Sequence, residues 1–209
     1  MRLCTTTLVL GCWASMLGGG MALLLHHGTT AGAVGAVAER LPPAAAAILE
    51  PSPERPLVVL CAHPQCPCLP STLVELRRVL EAPDAPAVDL RVLTYAPTSP
   101  PAEWDPQAAK ALQEQLPEAR HLADPDGALA TRLGAATSGH VFVFAPDGAL
   151  RFSGGITAGR GHAGDNAAAR AFGKSLTSQP ADSAHRAVFG CPLRADEDSS
   201  DEPSCCESR

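Results

Sequence analysis

The run Leu57-Val-Val-Leu-Cys61, closed by Ala62-His63-Pro64, constrains this chain more than any other segment. An apolar stretch of that length bounded by a turn reads as a buried strand. Pro70 then suits a first helical position, and Leu69, Leu73, Leu76 and Leu80 recur at helical spacing while Glu75, Arg77 and Arg78 face elsewhere. Val88, Leu90 and Val92 alternate with Asp89 and Arg91, a second strand over 88–95. Strand, helix and strand in that order make a parallel crossover unit. Cys61, Cys66 and Cys68 fall at the joint between the first strand and its helix.

Downstream, Asp105-Pro106 opens an Ala- and Gln-rich helix to about Leu116. A short extended piece over 119–122 and a helix ending at Leu133 follow. His140 to Ala145 and Ala149 to Phe152 flank the turn Pro146-Asp147-Gly148, which predicts an antiparallel hairpin. Asp165 can cap a last helix ending near Thr177. The fold class is therefore α/β, with one mixed sheet between helical layers and a C-terminal hairpin.

Charge and hydropathy divide the chain around this core. Residues 3–25 carry no charge, and as a helix would be roughly 34 Å long, close to the thickness of a bilayer's hydrocarbon core. Arg2 precedes the stretch and Glu39 is the first charge after it, so residues 1–25 are expected to be a transmembrane signal anchor with the rest of the chain outside the cytoplasm. Cleavage after Ala31-Gly32-Ala33 or Ala36-Val37-Ala38 is the alternative. Residues 26–55, rich in Ala, Gly and Pro, read as a tether, residues 56–178 as the domain, and residues 179–209 as a polar, acidic tail. A net charge of -6 leaves no basic footprint, which excludes nucleic acid as a partner. No Ser-His-Asp arrangement or glycosidase carboxylate pair has a defining context.

The cysteines carry the chemistry. A thiol at a helix N-terminus meets backbone N–H donors and the positive end of the helix dipole, both of which favour thiolate. Cys66 is thus the expected nucleophile, Cys68 the resolving thiol and His63 a residue able to tune them, with a protein thiol or disulfide as substrate. A disulfide closed over the single residue Pro67 is strained, and strained disulfides are oxidising. Cys61 is either an alternative partner or a small buried apolar residue. The same atoms suit a metal: Cys61, His63, Cys66 and Cys68 offer sulfur and imidazole donors for copper as Cu(I), or for Zn(II), so a copper-binding module is the competing reading. A redox-silent interaction domain is the third. Without copper, no cofactor is expected. Cys191 could bridge to the N-terminal cluster, to Cys205 or to Cys206.

This element order, with cysteines at the start of the helix after a central strand, resembles the thioredoxin-like fold. His63-Pro-Gln-Cys-Pro-Cys68, Ala136-Thr-Ser-Gly139, Gly154-Gly-Ile-Thr157 with Arg160-Gly-His-Ala-Gly-Asp-Asn166, and Phe189-Gly-Cys-Pro192 are similar to the bacterial RedB group. That resemblance implies an inner-membrane, single-pass protein whose thioredoxin-like domain faces the periplasm or cell exterior. It also implies a substrate-binding surface near the thiols, built from Thr137, Ser138, Gly139, Arg160 and His162. Two features depart from thioredoxins: Cys66-Pro67-Cys68 is one residue tighter than Cys-x-x-Cys, and Gly139 stands where thioredoxins place a cis-proline.

Overall fold

The computed structural model describes residues 2–177 and 185–194. The elements run α1 (Arg2–Thr29), α2 (Pro43–Leu49), β1 (Leu57–Ala62), α3 (Leu69–Leu80), β2 (Asp89–Ala96), α4 (Gln107–Gln115), β3 (Arg120–Pro125), α5 (Ala128–Leu133), β4 (His140–Phe144), β5 (Leu150–Gly154) and α6 (Ala167–Leu176). One five-stranded sheet has the order β3-β2-β1-β4-β5. β1 and β3 flank β2 in parallel, β4 lies antiparallel to β1, and β5 returns antiparallel to β4. This is the mixed α/β architecture expected from the sequence, and it is consistent with a thioredoxin-like fold.

Alternation along β1 divides the interior into two layers. Val58, Leu60 and Ala62 face Leu69, Leu73 and Leu76 of α3, Leu112 of α4 and Phe172 and Leu176 of α6. Leu57, Val59 and Cys61 face the opposite way, onto Ala45 and Leu49 of α2 and Leu129, Ala130 and Leu133 of α5. The two-residue period therefore sends Cys61 to the other side of the sheet from Cys66.

Residues 26–55 do not form the expected tether. Val34 bridges to Ala135 and Arg40 to Ala149, while Leu41 N–H donates to the Gly148 carbonyl at 2.8 Å. α2 buries Ala45 and Leu49 completely. Its exposed C-terminal carbonyls are met by a distant cation: Arg91 on β2 donates from Nε to Leu49 O at 2.9 Å and from Nη2 to Glu50 O at 3.1 Å. The domain likewise does not end at residue 178. Residues 185–194 run beside β5 and then across the sheet end, with Arg186 N–H on Ser153 O at 2.8 Å and Val188 and Leu193 buried. Cys205 and Cys206, with the rest of the acidic tail, lie outside the described residues.

Two further expectations shift. The cap of α6 is Asn166, whose side chain accepts from Ala169 N–H at 2.8 Å; Asp165 instead pairs with Arg170 at 2.6 Å. α1 forms over 28 residues, yet among the described residues no helix is long and apolar enough to cross a membrane. The transmembrane helix expected at 1–25 is therefore not found among the described residues. Leu10, Trp13, Met16, Leu17, Met21 and Leu23 all project from it exposed.

Candidate active site

The site forms where β1 ends and α3 begins. His63 to Pro67 turn sharply: Cys66 N–H donates to His63 O at 3.0 Å, and Leu69 N–H to Cys66 O at 3.1 Å. Cys68 is the N-cap of α3, with Pro70 in the first helical turn, where its missing N–H costs nothing. The third member arrives from the far end of the domain. The sulfurs of Cys66, Cys68 and Cys191 all lie within 4.8 Å of one another. The local sequence around Cys191 predicts a bridge with several possible partners and carries no spacing signal for this site, because the contact depends on the path of residues 185–194.

That path is pinned at several points. Ser138 N–H donates to Cys191 O at 2.8 Å, Thr137 bridges to Pro192, and Leu193 N–H donates to Ala136 O at 2.9 Å. A Cβ on Gly190 would overlap the Ser138 carbonyl oxygen, so only glycine allows this approach. Arg160 Nη1 donates to Gly190 O. The loop bearing Arg160 is itself tied to α3, since Gly164 N–H donates to the buried carboxylate of Glu75 at 2.6 Å.

Exposure reverses the expected roles of the two loop cysteines. Cys66 is 4% exposed and belongs to the α3-side core, and Cys191 is also buried, whereas Cys68 is half-buried. The sulfur more open to solvent is therefore that of Cys68, not of Cys66. The ionisation expected at Cys66 does have a physical basis. Hydrogen bonds from the Cys191 and then the Cys68 side chain hold its thiol well below the ordinary range; burial opposes them, and the backbone N–H groups of both residues add to the lowering. For Cys68 the Cys191 side chain lowers the pKa, but the neighbouring Cys66 sulfur and burial outweigh it, and the net direction is upward. The Arg160 guanidinium lowers it in part.

The other expected residues divide between scaffold and rim. Burial drives the Cys61 pKa up, with the charge of Asp124 adding to it, so this thiol is inert and sits apart from the trio. His63 stacks on Tyr95 at 5.2 Å and meets Trp104 edge-on at 5.5 Å; its Nδ1 accepts from Gln65 N–H at 3.3 Å. Burial lowers its pKa, partly offset by Cys66, which favours a neutral ring. The metal set Cys61, His63, Cys66 and Cys68 is thus not the one brought together: Cys191 takes the place of Cys61 and His63.

Thr137 and Ser138 are fully buried and occupied internally. Thr137 Oγ1 donates to Ala33 O at 2.7 Å, and Ser138 Oγ accepts from His63 N–H at 2.9 Å. Gly139 has φ +88° and donates from N–H to Cys61 O at 2.8 Å; all described peptide bonds are trans. His162 is exposed and hydrogen-bonded to Arg160 O at 2.7 Å.

No family model and no curated protein sequence matches the chain. Among solved structures, it is similar to an uncharacterized conserved protein from Geobacillus kaustophilus, with 18% identity and TM-score 0.55, over 69% of this chain and 79% of that one. It is also similar to a hypothetical protein from Sinorhizobium meliloti 1021, with 18% identity and TM-score 0.50, over 79% and 94% of the two chains. A secreted Mycobacterium tuberculosis disulfide oxidoreductase homologous to E. coli DsbE aligns with 21% identity over 46% of this chain and 66% of that one, at a TM-score of 0.37. The first two likenesses bear on the fold alone, and the third superposition is too partial to argue from.

Proposed function

We propose that this chain is a thiol–disulfide oxidoreductase of thioredoxin-like type, acting through its Cys-Pro-Cys loop as a disulfide donor to protein thiols. One observation carries the reading: the half-buried Cys68 sulfur at the N-cap of α3 stands within 4.8 Å of two buried cysteine sulfurs. An accessible sulfur backed by a buried, stabilised one is the arrangement such exchange needs.

In the oxidised protein a bond joins Cys68 to Cys66. A substrate thiolate attacks the accessible Cys68 sulfur, the Cys66–Cys68 bond breaks, and Cys66 leaves as thiolate into the donors from Cys191 and Cys68 N–H. A low-pKa thiol is the better leaving group. A second substrate thiolate then attacks the mixed disulfide, and Cys68 departs and takes a proton. The substrate gains a disulfide, the protein retains two reduced cysteines, and a more oxidising disulfide restores the pair. Stabilising the reduced form makes the couple more oxidising, the direction required of a donor.

Its placement belongs to the same proposal. The apolar side chains that α1 exposes support attachment to the inner membrane, and Arg2, the one charge ahead of Glu39, supports an extracytoplasmic domain. Retention of the chain in membranes washed at high pH is expected, and release of the intact chain by that wash removes this part of the reading.

The exchange reading is tested by mixing oxidised full-length protein with a peptide that carries two thiols. Stoichiometric conversion of the peptide to its disulfide is expected, and reduced Cys66→Ser mixed with the disulfide form of the same peptide should accumulate a mixed disulfide at Cys68, because the thiol that would resolve it is gone. Absence of any mixed disulfide at Cys68, in wild type and variant alike, overturns the proposal.

A further inference from the structure

Among the described residues, the donors brought together at this site are three sulfurs. We propose that reduced Cys66, Cys68 and Cys191 form a three-thiolate site for Cu(I). Thiolates select soft ions, and a set of three without imidazole or carboxylate matches the low coordination number that Cu(I) accepts. A structural zinc site normally closes with four ligands. Here Cys61 points to the opposite sheet face, and His63 is held between Tyr95 and Trp104 rather than with the sulfurs.

Distance agrees with this choice. With metal–sulfur bonds of about 2.3 Å, sulfurs in a trigonal plane stand about 4.0 Å apart, within the 4.8 Å that encloses the three sulfurs here. Closing on an ion therefore needs shifts of under an ångström, which side-chain rotation supplies. The least mobile ligand is the one whose backbone is most constrained: Cys191 is fixed through Ser138 N–H, the close approach at Gly190 and Arg160.

Three thiolates around a monovalent ion leave net negative charge in a largely buried place, which needs compensation. Arg160 acts electrostatically on Cys68, and its Nε has no hydrogen-bond partner among the described residues, so the guanidinium retains donor capacity beside the cluster. The backbone N–H groups of Cys68 and Cys191 already serve the Cys66 sulfur. Cys68, half-buried, provides the route by which an ion enters.

Binding changes no oxidation state. Three copper–sulfur bonds form, the thiol protons pass to solvent, and a chain whose Cys66 and Cys68 are joined as a disulfide binds no ion. The inference needs the trio's geometry but not exchange activity, so either proposal can fail alone.

The test uses reduced full-length protein carrying Cys205→Ser and Cys206→Ser, titrated anaerobically with Cu(I) against a chromogenic Cu(I) chelator. One ion per chain is expected, with sulfur-to-copper charge-transfer absorption in the near ultraviolet. Cys191→Ser and the more accessible Cys68→Ser should each weaken binding at least about tenfold, the low end of what losing even an outer-shell partner costs a metal site. Cys61→Ala and His63→Ala should leave copper affinity unchanged. Wild-type affinity in both serine variants, loss of binding in Cys61→Ala or His63→Ala, or one-to-one uptake of Zn(II) with none of Cu(I) overturns the site. Copper uptake without peptide oxidation would remove the exchange reading and leave this one standing.

Discussion

The Cys191 sulfur lies within 4.8 Å of the Cys66 sulfur, although the two residues come from opposite ends of the folded domain. The Cys191 carbonyl is held by Ser138 N–H at 2.8 Å, so a hydrogen bond from the loop before β4 fixes a thiol beside the loop after β1. Accessibility then orders the reactivity of the trio. Cys68 is expected to react with a bulky maleimide at least about tenfold faster than Cys66 or Cys191, since burial limits a neighbour's access more than ionisation helps it. Peptide mapping after timed labelling measures the order directly. Cys66 as the fastest site would return it to the role of first attacker.

The strand-helix-strand unit, the hairpin and α6 were legible because their apolar periods repeat within a single element. The thiol pair at Cys66 and Cys68 was legible for the same reason: strand and helix are adjacent in sequence. What the sequence hid depends on distant partners. α2 is an Ala-rich turn whose C-terminal carbonyls are capped by Arg91, and Cys191 reaches the site along a segment with no period at all. Exposure was hidden too. The spacing Cys-Pro-Cys places both thiols at one helix end but does not say that Cys66 faces the core and Cys68 the surface.

The packing of α2 decides where a stable fragment begins. A fragment starting at Pro56 loses Ala45 and Leu49, both fully buried against the face of Leu57, Val59 and Phe142. Leu49→Ala alone should cost about 2–4 kcal/mol, the range for removing a buried leucine side chain. Urea denaturation of the full chain reads the substitution. Limited proteolysis should trim near residue 30 and spare residues 34–50; rapid cleavage within 34–50 would show that these residues are not part of the stable unit.

At residue 139 the fold has no room for the proline of the thioredoxin pattern. Gly139 has φ +88°, its N–H serves Cys61 O, and a Cβ there would stand 3.0 Å from Thr72 Oγ1. Proline requires φ near about -65° and has no N–H to give. Gly139→Pro is therefore expected to destabilise the chain by about 3 kcal/mol or more, and to disturb the β1–β4 edge beneath the thiols. Gly139→Ala, strained by φ but keeping the hydrogen bond, should lose less. Calorimetric melting of the two variants distinguishes the outcomes, and a Gly139→Pro variant as stable as wild type would mean that the backbone here switches conformation.

His140 makes the fold sensitive to mild acid. It is fully buried on β4, stacked on Phe142 at 4.2 Å, with Nε2 hydrogen-bonded to Ser153 Oγ at 2.8 Å. Burial, with the nearby charge of His185 adding to it, lowers its pKa from 6.5 to about 3. The unfolded chain takes up the proton at its ordinary pKa while the folded chain still refuses it. Stability from this residue is thus fully present above pH 6.5 and declines as the pH falls toward 3, by up to about 1.4 kcal/mol per pH unit. His140→Gln keeps a polar partner for Ser153 and removes the titration. Urea midpoints measured from pH 7 to pH 5 should fall steeply in wild type and less in the variant; equal slopes would assign the acid sensitivity to groups other than His140.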